Sequence, residues 1–171
     1  MGVVYTGRMT YRNIKNHYVL IGFNELSINM IRELYDECPS ARILLMSGIE
    51  AATVRHRIQS ALPIEIERQV LVYFGNIESI EELQRLNIES AIEVYVLGDE
   101  ERYGRDAKNI AIVHLVSALR GKCSDGKMMP VYVQFDSIPS YSNIQKMNLP
   151  PEVFCIEAVS YTHLTLPTNR E

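Results

Sequence analysis

The chain has 171 residues, of which 47% are hydrophobic and 22% charged, the proportions of one ordinary globular domain able to bury a sizeable core. Its formal net charge of -4 sets up no field that gathers phosphate backbones, so nucleic acid is not an expected partner. Cys38, Cys123 and Cys155, like His17, His56, His114 and His163, are scattered without zinc or redox spacing, and no apolar run approaches the roughly 20 residues that span a bilayer. The expectation is a soluble chain with no metal site, its thiols reduced and buried as in a cytosolic protein.

The opening, residues 1–16, is expected to be a polar linker, since Gly7 to Asn16 carries Arg8, Arg12 and Lys15. Tyr18 to Gly22 is nearly all apolar, as a strand buried on both faces must be. Leu26, Met30, Ile31 and Leu34 then form the apolar stripe of a helix that stops before Pro39. The same unit recurs: a strand over Arg42 to Ser47, then a helix from Ala51 to Ala61 halted by Pro63. Val70 to Phe74 leads through Gly75 and Asn76 into a helix bearing Ile80, Leu83 and Leu86. Glu93 to Leu97 leads through Gly98 and Asp99 into a long helix whose Ile110, Val113, Leu115, Val116 and Leu119 are expected to face the sheet, with Gly121 as its stop.

Further strands are expected at Val131 to Phe135 and Val153 to Ile156, with a weaker helical segment from Ser137 to Leu149 between them. Residues 159–171 show neither period and are expected to be a non-native or disordered tail, which leaves the domain cut short. Alternation of this kind predicts an α/β domain over residues 17–158, a doubly wound Rossmann-like parallel sheet of about six strands with helices on both faces.

In such a sheet, ligands lie beyond the carboxyl ends of the strands, beside helix N-termini. The first loop reads Gly22, Phe23, Asn24, Glu25, Leu26, Ser27 and keeps only the first glycine of the dinucleotide fingerprint. Ser27 is small enough for the close helix–strand contact, and Asn24 tolerates backbone angles usually left to glycine. Glu25 puts a carboxylate where a pyrophosphate would sit, a like-charge contact costing about 1 kcal/mol in water and about 4 kcal/mol near a protein surface at about 4 Å; its bland role is to complement the helix dipole.

Ser47 stands where an acid normally bonds the ribose, and its bland role is an N-cap. Gly75 with Asn76 and Gly98 with Asp99 occupy equivalent strand ends, where helix capping alone explains the polar residues and position alone argues for binding. Asp99, Glu100 and Glu101 read as a solvated cap, and Arg55, His56 and Arg57 as a solvated face. No nucleophile elbow or hydride-transfer pair is present, so no catalytic residue is assigned.

Asn16 to Phe23 resembles the opening strand of RCK domains, also called TrkA-N domains. Tyr73 to Asn76 resembles the family's strand ending in Gly-Asp, Glu82 to Ala91 its leucine, turn, alanine segment, and Asp106 to Asn109 the Asp-x-x-Asn opening of its long fourth helix. The resemblance, which extends to a divergent plant nuclear-envelope ion-channel branch, implies a cytoplasmic ligand-sensing domain. Such a domain regulates a potassium channel or transporter and pairs with itself as a homodimer or larger ring that acts on a membrane pore domain. Gly22, Asn24, Ser47, Asn76 and Asp99 match positions where family members contact nucleotide or ions. The cofactor stays open, because loss of the fingerprint glycines weakens the case for NAD or another nucleotide. Two other readings remain: a fragment of an NAD(P)-dependent oxidoreductase, and a Rossmann-like interaction module that binds no nucleotide.

Overall fold

The computed structural model describes residues 4–5, 13–137 and 145–157. The apolar runs form strands β1 (Val4–Tyr5), β2 (Tyr18–Ile21), β3 (Ile43–Ser47), β4 (Val70–Phe74), β5 (Glu93–Val96), β6 (Val131–Phe135) and β7 (Val153–Glu157). They make one sheet in the order β1-β4-β3-β2-β5-β6-β7, with every pair parallel. After β1 at one edge, the chain enters the centre of the sheet at β2, winds outward through β3 and β4, then returns to β5 on β2's other side. The Rossmann-like doubly wound expectation holds, and the six expected strands are all present. The additional strand β1 lies in the stretch read as linker, where Val4 and Tyr5 are β-formers at a sheet edge.

The period of two along each strand splits the core into two layers. Tyr18, Leu20, Ile43 and Leu45 face α1 (Ser27–Glu37) and α2 (Ala51–Ala61), meeting Met30, Ile31, Leu34, Val54 and Ile58. Val19, Ile21, Leu44 and Met46 face the opposite way, against α4 (Ile80–Leu83) and α5 (Arg105–Leu119). A short α3 (Ile64–Glu67) follows Pro63.

Two helical expectations change. The helix after β4 is a single α-turn, followed by 3-10 turns Gln84–Leu86 and Ile88–Ser90 on either side of Asn87, whose left-handed backbone (φ 49°, ψ 49°) breaks the run. Asn87 is held there by its Nδ2, which donates to the Ile14 carbonyl at 2.6 Å. On α5 the wholly buried stripe is Asn109, Ile112, Val113 and Val116, with Arg105 one turn earlier, whereas Ile110, Leu115 and Leu119 are only half-buried. Gly121 does follow the helix end, but its need is space: a Cβ there would lie 2.3 Å from the Glu89 carbonyl oxygen. The thiols are free, yet Cys123 is exposed and Cys38 and Cys155 half-buried, so the expected burial fails. The weak helical segment (residues 137–149) lies largely, and the tail (159–171) wholly, outside the described residues.

His17 leads into β2, is wholly buried, and meets the Leu86 carbonyl through Nε2 at 3.0 Å. Burial holds its pKa below the ordinary 6.5, outweighing the upward pull of that carbonyl. The unfolded chain therefore takes up the proton first as pH falls, so stability declines below about pH 6.5. Urea midpoints at pH 7.5 and 5.5 should differ less in His17→Gln than in the wild type. An equal pH dependence in both would remove His17 as a cause.

Candidate functional site

The carboxyl ends of β2, β3, β4 and β5 form one rim, and Asp99 ties three of them together. Its Oδ1 accepts the Phe23 N–H at 2.9 Å and the Ser47 hydroxyl at 2.6 Å; its Oδ2 accepts the Gly48 N–H at 3.0 Å. Hydrogen bonds to a charged group are each worth about 1.5–3 kcal/mol, so the three hold this carboxylate firmly. Asp99 is thus not a cap of α5, which starts after Gly104 without a side-chain cap bond. Ser47 is not a cap of α2 either. Its Oγ accepts the Ile49 N–H at 3.0 Å, whereas the N-cap position belongs to Glu50. Asn76 bonds the Glu78 N–H at 2.9 Å, and Ser79 caps α4. Ser47, Asn76 and Asp99 thus close turns and cross-link loops instead of capping helices.

Gly22 and Gly98 make the central contact between β2 and β5. Both have positive φ (99° and 81°), and a Cβ on Gly22 would lie 2.3 Å from the Gly98 carbonyl carbon. Asn24 does not adopt left-handed backbone; it acts through its side chain. Its Nδ2 donates to the Leu97 and Gly98 carbonyls at 3.1 and 2.9 Å and to Gln134 Oε1 at 3.3 Å, and its Oδ1 accepts the Leu26 N–H at 2.9 Å. Wholly enclosed by these bonds, Asn24 stitches the first loop to β5 and β6. Ser27 is buried beneath it and accepts the Asn24 N–H through Oγ at 2.9 Å.

Glu25 faces arginine. It pairs with Arg102 at 2.7 Å and Arg105 at 3.5 Å. Desolvation, which would raise its pKa, is outweighed by its own backbone N–H and the two guanidinium groups, so the carboxyl titrates below its ordinary value. Arg105 is the residue that the hydrophobic stripe concealed: only 2% exposed, it donates from Nε to Asp136 Oδ2 at 3.1 Å and from Nη1 to the Asp99 carbonyl at 2.9 Å. Its Nη2 also pairs with Asp136 Oδ1. The basic cluster on α2 is divided. Arg55 is buried, donating to the Val70 carbonyl at 2.7 Å beside Glu67, while Arg57 lies over the Phe23 ring at 5.0 Å and pairs with Glu100.

Beside this network a cleft of about 230 Å³ opens between Gly48, Asn76, Glu78, Gly98, Asp99 and the first turns of α5, where Lys108 and Asn109 line it. Drug-sized ligands take about 300–1,000 Å³, so the cleft suits a small polar group. Of the expected residues, Asn76, Gly98 and Asp99 line it; Gly22, Phe23, Asn24, Glu25, Ser47 and Gly75 do not. Among the described residues no group of three or more His, Cys, Asp and Glu is placed to hold a metal.

No family model matches the chain, and no curated protein matches its sequence. Solved structures do. The crystal structure of the GsuK RCK domain superimposes with a TM-score of 0.57 at 13% identity, over 83% of this chain and 26% of that one. The fold is RCK-like. The GsuK channel bound to NAD matches with a TM-score of 0.56 at 13% identity, over 83% of this chain and 22% of that one. GsuK bound to ADP matches with a TM-score of 0.54 at 14% identity, over 84% and 32%. The chain spans only about a fifth to a third of the length of those matched chains.

Proposed function

We propose that this chain is a ligand-sensing regulatory domain, cytoplasmic and self-associating, of a potassium channel or transporter. The observation that carries the reading is the polar cleft at the carboxyl ends of β3, β4 and β5, set in a fold like that of the GsuK RCK domain. Such a cleft, framed by loops from β3, β4 and β5, changes shape when a ligand moves any one of them. A homodimer or larger ring would convey that movement to a pore domain.

One observation favours a second reading, an interaction module that binds no nucleotide. The crevice where a dinucleotide's pyrophosphate would lie is bridged by Gly22 against Gly98, by Asn24 and by Asp99. Light scattering and a thermal-shift titration with ADP, NAD and divalent cations separate the two. The sensing domain self-associates at high micromolar concentration, and a ligand at 100 times its Kd stabilises it by about 2.7 kcal/mol, a rise of about 5–10 °C in a domain of this size. A strict monomer overturns the regulatory reading; assembly with no response to any ligand favours the interaction module.

A further inference from the structure

The donors that hold Asp99 come from other strands than its own. Phe23 and Gly48 contribute backbone N–H groups from the loops after β2 and β3, and Ser47 adds its hydroxyl. Backbone and hydroxyl donors converging at the carboxyl ends of parallel strands make an anion-binding concavity. The carboxylate filling it belongs to the loop after β5. Gly48 is exposed, and a Cβ there would approach Asp99 Oδ2 to 3.1 Å, so the absence of a side chain leaves the seat open on that side.

We infer that the Phe23, Ser47 and Gly48 donors form a seat for a phosphoryl group, which Asp99 occupies as a displaceable internal ligand. The inference rests on the reading of this rim as a ligand site and adds its chemistry and its control. A phosphoryl group matches the carboxylate in presenting several anionic oxygens to N–H and O–H donors. Room for the displaced side chain exists, because Asp99 also borders the cleft, where Lys108 stands without an ion pair among the described residues. Glu78 and Glu101 line the same cleft beside Arg105 and Lys108, so its field is mixed and does not by itself gather an anion. Tethering sets Asp99's effective concentration at the seat on the order of millimolar or above, which suppresses binding of a free anion that competes weakly.

The test is amide NMR of the full chain, titrated with inorganic phosphate and, separately, with ADP, at ionic strength fixed with chloride. In Asp99→Ser, the Phe23 and Gly48 resonances should shift saturably, with a Kd for phosphate at least about tenfold below that of the wild type. Asp99→Asn keeps the side-chain shape and frees the Gly48 N–H, so it should give an intermediate gain and serves if the serine variant fails to fold. Adding Ser47→Ala to the better-folded of these should take back part of the gain. A similar gain with ADP makes a nucleotide phosphate an occupant, and a gain with inorganic phosphate alone makes it a free oxyanion; either upholds the seat. Variants that bind phosphate no better than the wild type, or a gain insensitive to Ser47→Ala, overturn it. A monomeric wild type whose variants gain phosphate binding would sink the regulatory reading and leave the seat standing.

Discussion

Arg105→Ala is expected to destabilise the protein by about 3 kcal/mol, the lower end of what removing one partner of a buried ion pair costs. The side chain is 2% exposed and links three strand ends: the loop after β2 through Glu25, the loop after β5 through the Asp99 carbonyl, and the residue after β6 through Asp136. Its acidic partners keep contact with water, Asp136 at 27% and Glu25 at 44% exposure, so neither is stranded by the loss. That is why the expected cost sits at the low end. Much of it is instead the void and the unpaired carbonyl at Asp99. Arg105→Lys keeps the charge without the planar fork and should recover less than half. Urea unfolding of the three proteins measures this, and a loss below about 1 kcal/mol for alanine would make the cluster an ordinary surface ion pair.

Arg105 also shows why the sequence reveals the fold better than the rim. Buried parallel strands need continuous apolar runs, so β2 to β7 were legible from composition and turn residues alone. So was α2, bounded by Ala51 and Pro63. The register of α5 was not, since its buried stripe opens with Arg105 and Asn109, polar residues that a search for apolar periodicity passes over. The missed signal was their spacing of four, continuing into Ile112, Val113 and Val116. At the rim, the relevant partners lie far apart in the chain. Asp99 reaches Phe23 and Ser47 across 76 and 52 positions, whereas a capping bond spans two or three. Ser, Asn and Asp serve both uses, so local sequence favours the capping reading even where the fold brings distant donors closer.

The largest effect is expected at Gly22, where alanine should cost about 4 kcal/mol, a large share of the roughly 5–15 kcal/mol that holds such a domain together. Two penalties combine. A φ of 99° is unfavourable for any side chain, and the new Cβ would lie 2.3–2.4 Å from the backbone carbon, nitrogen and oxygen of Gly98. Gly98 cannot retreat cheaply, because its N–H donates to the Ile21 carbonyl at 3.0 Å and its own carbonyl accepts Asn24 Nδ2 at 2.9 Å. Gly126 separates the two penalties, since it has a similar φ of 86° but nothing within 4 Å of a Cβ. Gly126→Ala should therefore cost only about 1–2 kcal/mol, the conformational term alone. Thermal unfolding of both variants measures the difference. Equal losses would mean that β2 and β5 can separate at their ends without penalty, leaving room in the crevice that Gly22 and Gly98 otherwise close to a pyrophosphate.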